Sequence, residues 1–129
     1  MRKILILNDE KRVLDDYVKN LTARGIPREG ILCFHVKPRG WLKTSLEFIE
    51  KHAQPGDIIL LDLRLEADKD GIFDSEYEGG YDIHDEIEGR DYITFFATAS
   101  SNKRGFPQDH WGMPDEILKH LTAHYRGEA

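Results

Sequence analysis

Residues 58–65 read Ile58-Ile59-Leu60-Leu61-Asp62-Leu63-Arg64-Leu65. Four branched aliphatic residues in unbroken succession fit a strand buried on both faces, because a strand with one wet face alternates apolar with polar. Three more runs have the same character: Ile4 to Leu7, Ile31 to Phe34, and Tyr92 to Ala97. Together they predict a parallel sheet covered on both sides.

Helical patterns separate the runs. Val13, Leu14, Tyr17, Val18 and Leu21 share one helical face, and Gly25 and Pro27 close that helix. Leu42, Leu46, Ile49 and Ala53 make a second stripe, ended by Pro55-Gly56. A shorter helix is expected from about Tyr81 to Glu88, with Ile83 and Ile87 one turn apart. The last begins at Pro114, where Asp115 and Glu116 favour the positive helix end, and carries Ile117, Leu118, Leu121 and Tyr125. Strand and helix alternate, so the class is α/β. Residues 100–113 offer only Phe106, Trp111 and Met113 as large apolar side chains. They hardly support a fifth strand. A strand, a loop and an arm packed on a second copy all stay open there, and with the last a homodimer.

Composition limits the function. The 129 residues suit a single domain spanning 1–129, and 40% hydrophobic content is enough for a core. A sequence pI near 5.5 argues against a nucleic-acid surface. One cysteine, Cys33, excludes a disulfide framework and reads as a small buried hydrophobe. Met1-Arg2-Lys3 and four apolar residues are too short for a secretory leader, and no apolar run approaches a membrane span. The expectation is a cytoplasmic protein. The net charge of −6 is uneven: residues 66–80 hold six acids and one base, a local −5, which leaves −1 for the rest.

In an open α/β sheet, ligands gather beyond the C-terminal strand ends. Asn8-Asp9-Glu10 follows the first run, Asp62 the third, and Thr98-Ala99-Ser100 the fourth. Carboxylates brought to one edge repel each other and call for a cation. Oxygen donors with few protein ligands suit Mg²⁺, which keeps several waters. A carboxylate beside Mg²⁺ can act as a nucleophile towards phosphoryl groups.

These residues resemble a response-regulator receiver domain. Such domains carry ILIVDDE at the end of the first strand, where Ile4–Glu10 reads ILILNDE; an LLDLxLP-like segment at the third, where Leu60–Leu65 reads LLDLRL; and Thr-Ala after the fourth, here Thr98-Ala99. Gly79-Gly80 matches the glycine that opens the next helix. The resemblance covers residues 3–99 well and the remainder poorly. It implies a flavodoxin-like three-layer α/β/α sandwich of receiver type, with a degenerate region from the fourth helix to the fifth strand. It also implies a role for each matching residue. Asp62 is the phosphoacceptor and Thr98 the switch hydroxyl. Asp9, Asp62 and the Arg64 backbone carbonyl bind Mg²⁺. The phosphoryl donor is a histidine kinase or phosphotransfer protein, and in a stand-alone receiver the output passes through a partner protein. The domain is a phosphoacceptor rather than an enzyme.

Three departures from the family pattern stand out. Asn8 replaces the first acid of the usual pair, which leaves it a water-mediated place at the metal. The lysine expected after the fifth strand is missing, and Met113-Pro114 stands at the dipeptide that would hold it. Residues 66–80 form an acidic insertion directly after Asp62. These departures motivate an alternative, a phosphorylation-independent pseudo-receiver that serves as an interaction module. A phosphoesterase built on the same acids ranks last, since no general acid or base is evident.

Blander readings sit beside these. Asp62 suits a helix N-cap, and Thr98 a turn. Asp68-Lys69-Asp70-Gly71 hints at an EF-hand but places its glycine two positions early. A solvated loop is the expectation there, with partner docking or cover of the site as the alternative. His120 and His124, one turn apart, lack a third ligand for a metal. Trp41 and Trp111 read as packing residues.

Overall fold

The computed structural model describes residues 2–62, 68, 69, 72, 73, 79–98, 109–111 and 114–128. The chain opens with β1 (Ile4–Asn8), α1 (Lys11–Ala23), a short 3₁₀ turn (Arg28–Gly30) and β2 (Ile31–His35). It continues with α2 (Trp41–His52), β3 (Ile58–Asp62), the two-residue strands β4 (Asp68–Lys69) and β5 (Ile72–Phe73), and α3 (Gly79–Ile87). It closes with β6 (Ile93–Thr98), β7 (Asp109–Trp111) and α4 (Pro114–Tyr125). Among the described residues, no helix is long and apolar enough to cross a membrane.

The main sheet is parallel throughout, in the order β2-β1-β3-β6-β7. This is the flavodoxin-like order, in which the chain steps one way from β1 to β2 and the other way to β3. Right-handed crossovers then force the helices to opposite faces. The core shows the result. Ile4, Ile6, Ile58, Leu60 and Phe95 pack with α1 and α4 through Leu14, Leu21, Ile117, Leu118 and Leu121. Their alternating neighbours Leu5, Leu7, Ile59, Leu61 and Phe96 pack with α2 and α3 through Trp41, Ile49, Ile83 and Ile87. The unbroken apolar runs therefore serve two cores at once. Each fully buried Ile or Leu contributes about 1.5–3 kcal/mol relative to exposure.

Two features differ from the sequence expectation. A fifth main strand is present as β7, only three residues long and paired with the end of β6. An edge strand has a neighbour on one side only, so it forms without the dense apolar run that marks a central strand. The acidic insertion carries a two-stranded antiparallel pairing, Asp68 with Phe73 and Lys69 with Ile72. Asp70-Gly71 separates the two strands, and that dipeptide is a strong hairpin signal. The rest of residues 100–113, apart from β7, lies outside the described residues, as does most of the insertion.

Trp41 is buried in the α2/α3 core, as expected of a packing residue. Cys33 is half-buried rather than fully enclosed, and burial raises its thiol pKa, with Arg28 opposing and Asp15 adding smaller effects.

Candidate functional site

The sheet order reverses between β1 and β3, and the C-terminal edge at that reversal is where an open α/β fold leaves a crevice. Register fixes which residues reach it. Asn8 pairs with His35 of β2, Leu7 with Leu61 of β3, and Asp62 with Ala97 of β6. Continuing the β1–β3 register by one residue sets Asn8 beside Asp62, one strand spacing of about 4.8 Å away. Asp9 follows Asn8 immediately, and Thr98 follows Ala97. The strand ends carrying Asp9 and Thr98 therefore flank the one carrying Asp62 on either side. Arg64 and the Thr98 side chain lie outside the described residues.

Asn8 is 6% exposed, and its Oδ1 accepts the Glu10 backbone N–H at 2.8 Å. This local turn leads into α1, whose N-cap Glu10 makes no side-chain cap bond. The Asn8 side chain thus organises the entry to the helix. Asp9 accepts a hydrogen bond at its backbone carbonyl from His35 Nε2 at 2.9 Å, and Lys37 Nζ lies 3.2 Å from His35 Nδ1. A carbonyl only accepts, so Nε2 carries the proton and Nδ1 accepts from the Lys37 ammonium. A cation is thereby linked to the end of β1 through one imidazole.

Tyr17 forms part of the helical wall. Strand alternation turns Asp62 towards α1, because Leu60 faces α1 and Leu61 faces away. Burial, and after it the negative charge of Asp62, push the Tyr17 phenol up to about 12. A cavity of about 300 Å³ opens beside it, between α1 and α4, lined by Val13, Asp16, Tyr17, Asn20 and Leu118. On the opposite face, Tyr81 meets Phe96 edge-on at 5.1 Å, and His84 lies 5.6 Å from the same ring. These contacts fix the start of α3 against the end of β6.

The donors at this edge are oxygens: the carboxylates of Asp9 and Asp62, with Asn8 Oδ1 already accepting one bond. Hard oxygen donors with room for water suit Mg²⁺ better than a soft metal. Among the described residues, no three His, Cys, Asp or Glu side chains form a metal-binding group. Any cation here takes the rest of its shell from backbone oxygens or water.

No protein-family model matches the chain, and no curated protein matches it either. Its reading rests on the fold and on this edge. Sequence reasoning found Asn8, Asp9 and Asp62 because they end apolar runs. It missed Tyr17, His35 and Lys37. Tyr17 had only a place in an apolar helical stripe, and His35 and Lys37 only their position after the second run.

Proposed function

We propose that the chain is a receiver domain of two-component signalling. It accepts a phosphoryl group on Asp62 from a histidine kinase or phosphotransfer protein in the cytoplasm and signals through a partner protein. The observation that carries this reading is the position of Asp62. It ends the central strand at the reversal of sheet order, beside Asn8-Asp9 and next to the β6 end that holds Thr98.

In this reading an Asp62 carboxylate oxygen attacks the phosphorus of the donor. The P–N bond of a phosphohistidine breaks, and the imidazole leaves with its electron pair and takes up a proton. Asp9, Asp62 and the Arg64 carbonyl would hold Mg²⁺, which would supply neutralisation of the charge on the transferred group. Asn8 holds the turn that carries Asp9, and the Thr98 hydroxyl takes a phosphoryl oxygen. Tyr17 of α1 stands on the same side of the sheet, within electrostatic reach of Asp62. The chain holds the phosphoryl group as a signal rather than turning over a phosphoester.

The test is incubation with acetyl phosphate and Mg²⁺, read by intact mass. One phosphoryl group should appear on the wild type and none on Asp62→Asn. Absence of any adduct, with no Mg²⁺-dependent shift in the amide spectrum, overturns the reading.

One observation favours the second reading, a phosphorylation-independent interaction module. Asn8 brings no charge to the metal, and its Oδ1 is engaged with Glu10. Asn8→Asp separates the two. In a working receiver it should tighten Mg²⁺ about tenfold, the effect of roughly 1.4 kcal/mol, and speed adduct formation. In a pseudo-receiver it changes neither.

A further inference from the structure

Asp9 is held through its backbone. The β1–β2 register pairs Asn8 with His35, and the Val36 N–H donates to the Asn8 carbonyl at 2.9 Å, which fixes the peptide unit ahead of Asp9. The unit behind it, between Asp9 and Glu10, is held at both of its polar atoms. Its carbonyl accepts from His35 Nε2 at 2.9 Å, and its N–H donates to Asn8 Oδ1 at 2.8 Å. The peptide is trans, so its C=O and N–H point to opposite sides of the chain. The two bonds grip one plane from both sides, and rotation of that plane breaks both. A residue has only two soft backbone dihedrals, and both of those at Asp9 lie between held planes.

The imidazole is held in turn. Cys33, two residues earlier on β2, packs into the core under α1 and α4. Strand alternation turns His35 to that same side, where the chain enters α1. Lys37 Nζ stands 3.2 Å from Nδ1, the other ring nitrogen. An ammonium only donates, so Nδ1 keeps its lone pair while Nε2 keeps its proton for the Asp9 carbonyl. One donor and one acceptor thus set both the tautomer and the ring orientation.

We infer that His35 is a positioning residue for Asp9: from β2 it fixes the Asp9–Glu10 peptide, and with it the point from which the Asp9 carboxylate meets a divalent cation. The inference rests on the proposed role of Asp9 as a Mg²⁺ ligand. It adds that the geometry of the site is set from β2, a strand that carries none of the proposed ligands. A ligand ordered in advance loses less freedom when the ion arrives. That gain weighs more in this chain, because Asn8 brings no charge to the metal.

The first measurement needs no metal. In the metal-free wild type, the imidazole nitrogen spectrum should show neutral His35 protonated at Nε2 and bare at Nδ1. Mg²⁺ is then titrated into the isotope-labelled protein and followed by amide shifts, with circular dichroism to check that each variant folds. His35→Ala should weaken Mg²⁺ binding about tenfold. His35→Gln, whose side-chain amide can still donate to the Asp9 carbonyl, should recover most of that loss. Phe34→Leu loosens the same strand at its stacking against Phe48 without touching the Asp9–Glu10 peptide. It should lower the melting temperature and leave Mg²⁺ affinity unchanged. In the wild type, Mg²⁺ should also move the His35 Nε2 resonance, a readout that depends on no variant. A proton on Nδ1 overturns the inference, and so does an Nε2 resonance that ignores bound Mg²⁺. So does a His35→Gln no better than His35→Ala, or a Phe34→Leu that weakens Mg²⁺ as much. A wild type that takes up no Mg²⁺ overturns the receiver reading as well, whereas uptake that is the same in His35→Ala overturns this inference alone.

Discussion

Asp57 shows how much one carboxylate can organise. It is 2% exposed and precedes β3. Its Oδ1 accepts the Lys3 backbone N–H at 3.0 Å; its Oδ2 accepts that of Gln54 at 2.9 Å and pairs with Lys3 Nζ at 3.0 Å. The start of β1 is thereby fastened to the start of β3, and the same register brings Asn8 beside Asp62 at the other end. Asp57→Ala strands two backbone donors and a cation, and should cost about 3 kcal/mol. Urea denaturation checks this, and Asp57→Asn should cost less because one acceptor oxygen remains. Tyr17 offers a second test at this scale. Its phenol is raised above its ordinary value of 10 to about 12, by burial and then by Asp62. The folded state therefore favours the protonated phenol. That stability is fully present below pH 10 and is lost as pH rises from 10 through about 12. The phenolate absorbance of the wild type minus that of Tyr17→Phe should titrate near 12. In Asp62→Asn the midpoint should fall yet stay above 10, since burial is the larger cause. A midpoint that ignores Asp62 would remove Tyr17 from the site.

Among the elements, the seat of α4 is the most readily tested. A Cβ added at Gly30 would lie 2.9 Å from Tyr125 Oη and 3.2 Å and 3.3 Å from two ring carbons. The ring would have to swing aside and loosen the last turn of α4. Gly30→Ala should cost about 1 kcal/mol in the wild type. It should cost nothing in a Tyr125→Ala background, where the entropic benefit of replacing glycine is exposed. Equal costs in both backgrounds would show that the contact is not the reason for glycine. This contact joins residues 95 positions apart, which no periodicity predicts. By contrast the four long strands and four helices were legible, because each strand run feeds both cores in alternation and each helical stripe faces one of them. The predicted helix from about Tyr81 begins two residues earlier, at Gly79, since two buried glycines extend it without side chains that could announce a face. β7 was nearly invisible because edge pairing is made by backbone. At the site, Asn8, Asp9 and Asp62 were legible as polar residues that stop apolar runs. The partners of Asn8 and Asp9 were not, because they arrive from a turn and from β2.

At the scale of the molecule, the seam between α4 and the sheet is also where acid should act. His124 lies edge-on to Phe95 of β6 at 5.1 Å, one turn from His120 on the same helix, and its carbonyl accepts Arg2 from the start of the chain. Burial first, then His120, then Arg2 lower its pKa from the ordinary 6.5. The unfolded chain therefore binds this proton more readily than the folded one. Stability associated with neutral His124 is fully present above pH 6.5 and declines as pH falls through the lowered value. Protonation would place a cation against Phe95 and beside Arg2, at the end of the molecule that already holds Arg24, Lys119 and Arg126. Melting temperature should thus fall between pH 7.5 and pH 5, and His124→Gln should flatten that slope while lowering stability little at pH 7.5. A slope unchanged by His124→Gln would assign the acid sensitivity to another group. A slope flattened only in low salt would trace it to the long-range field of the basic edge rather than to burial against Phe95.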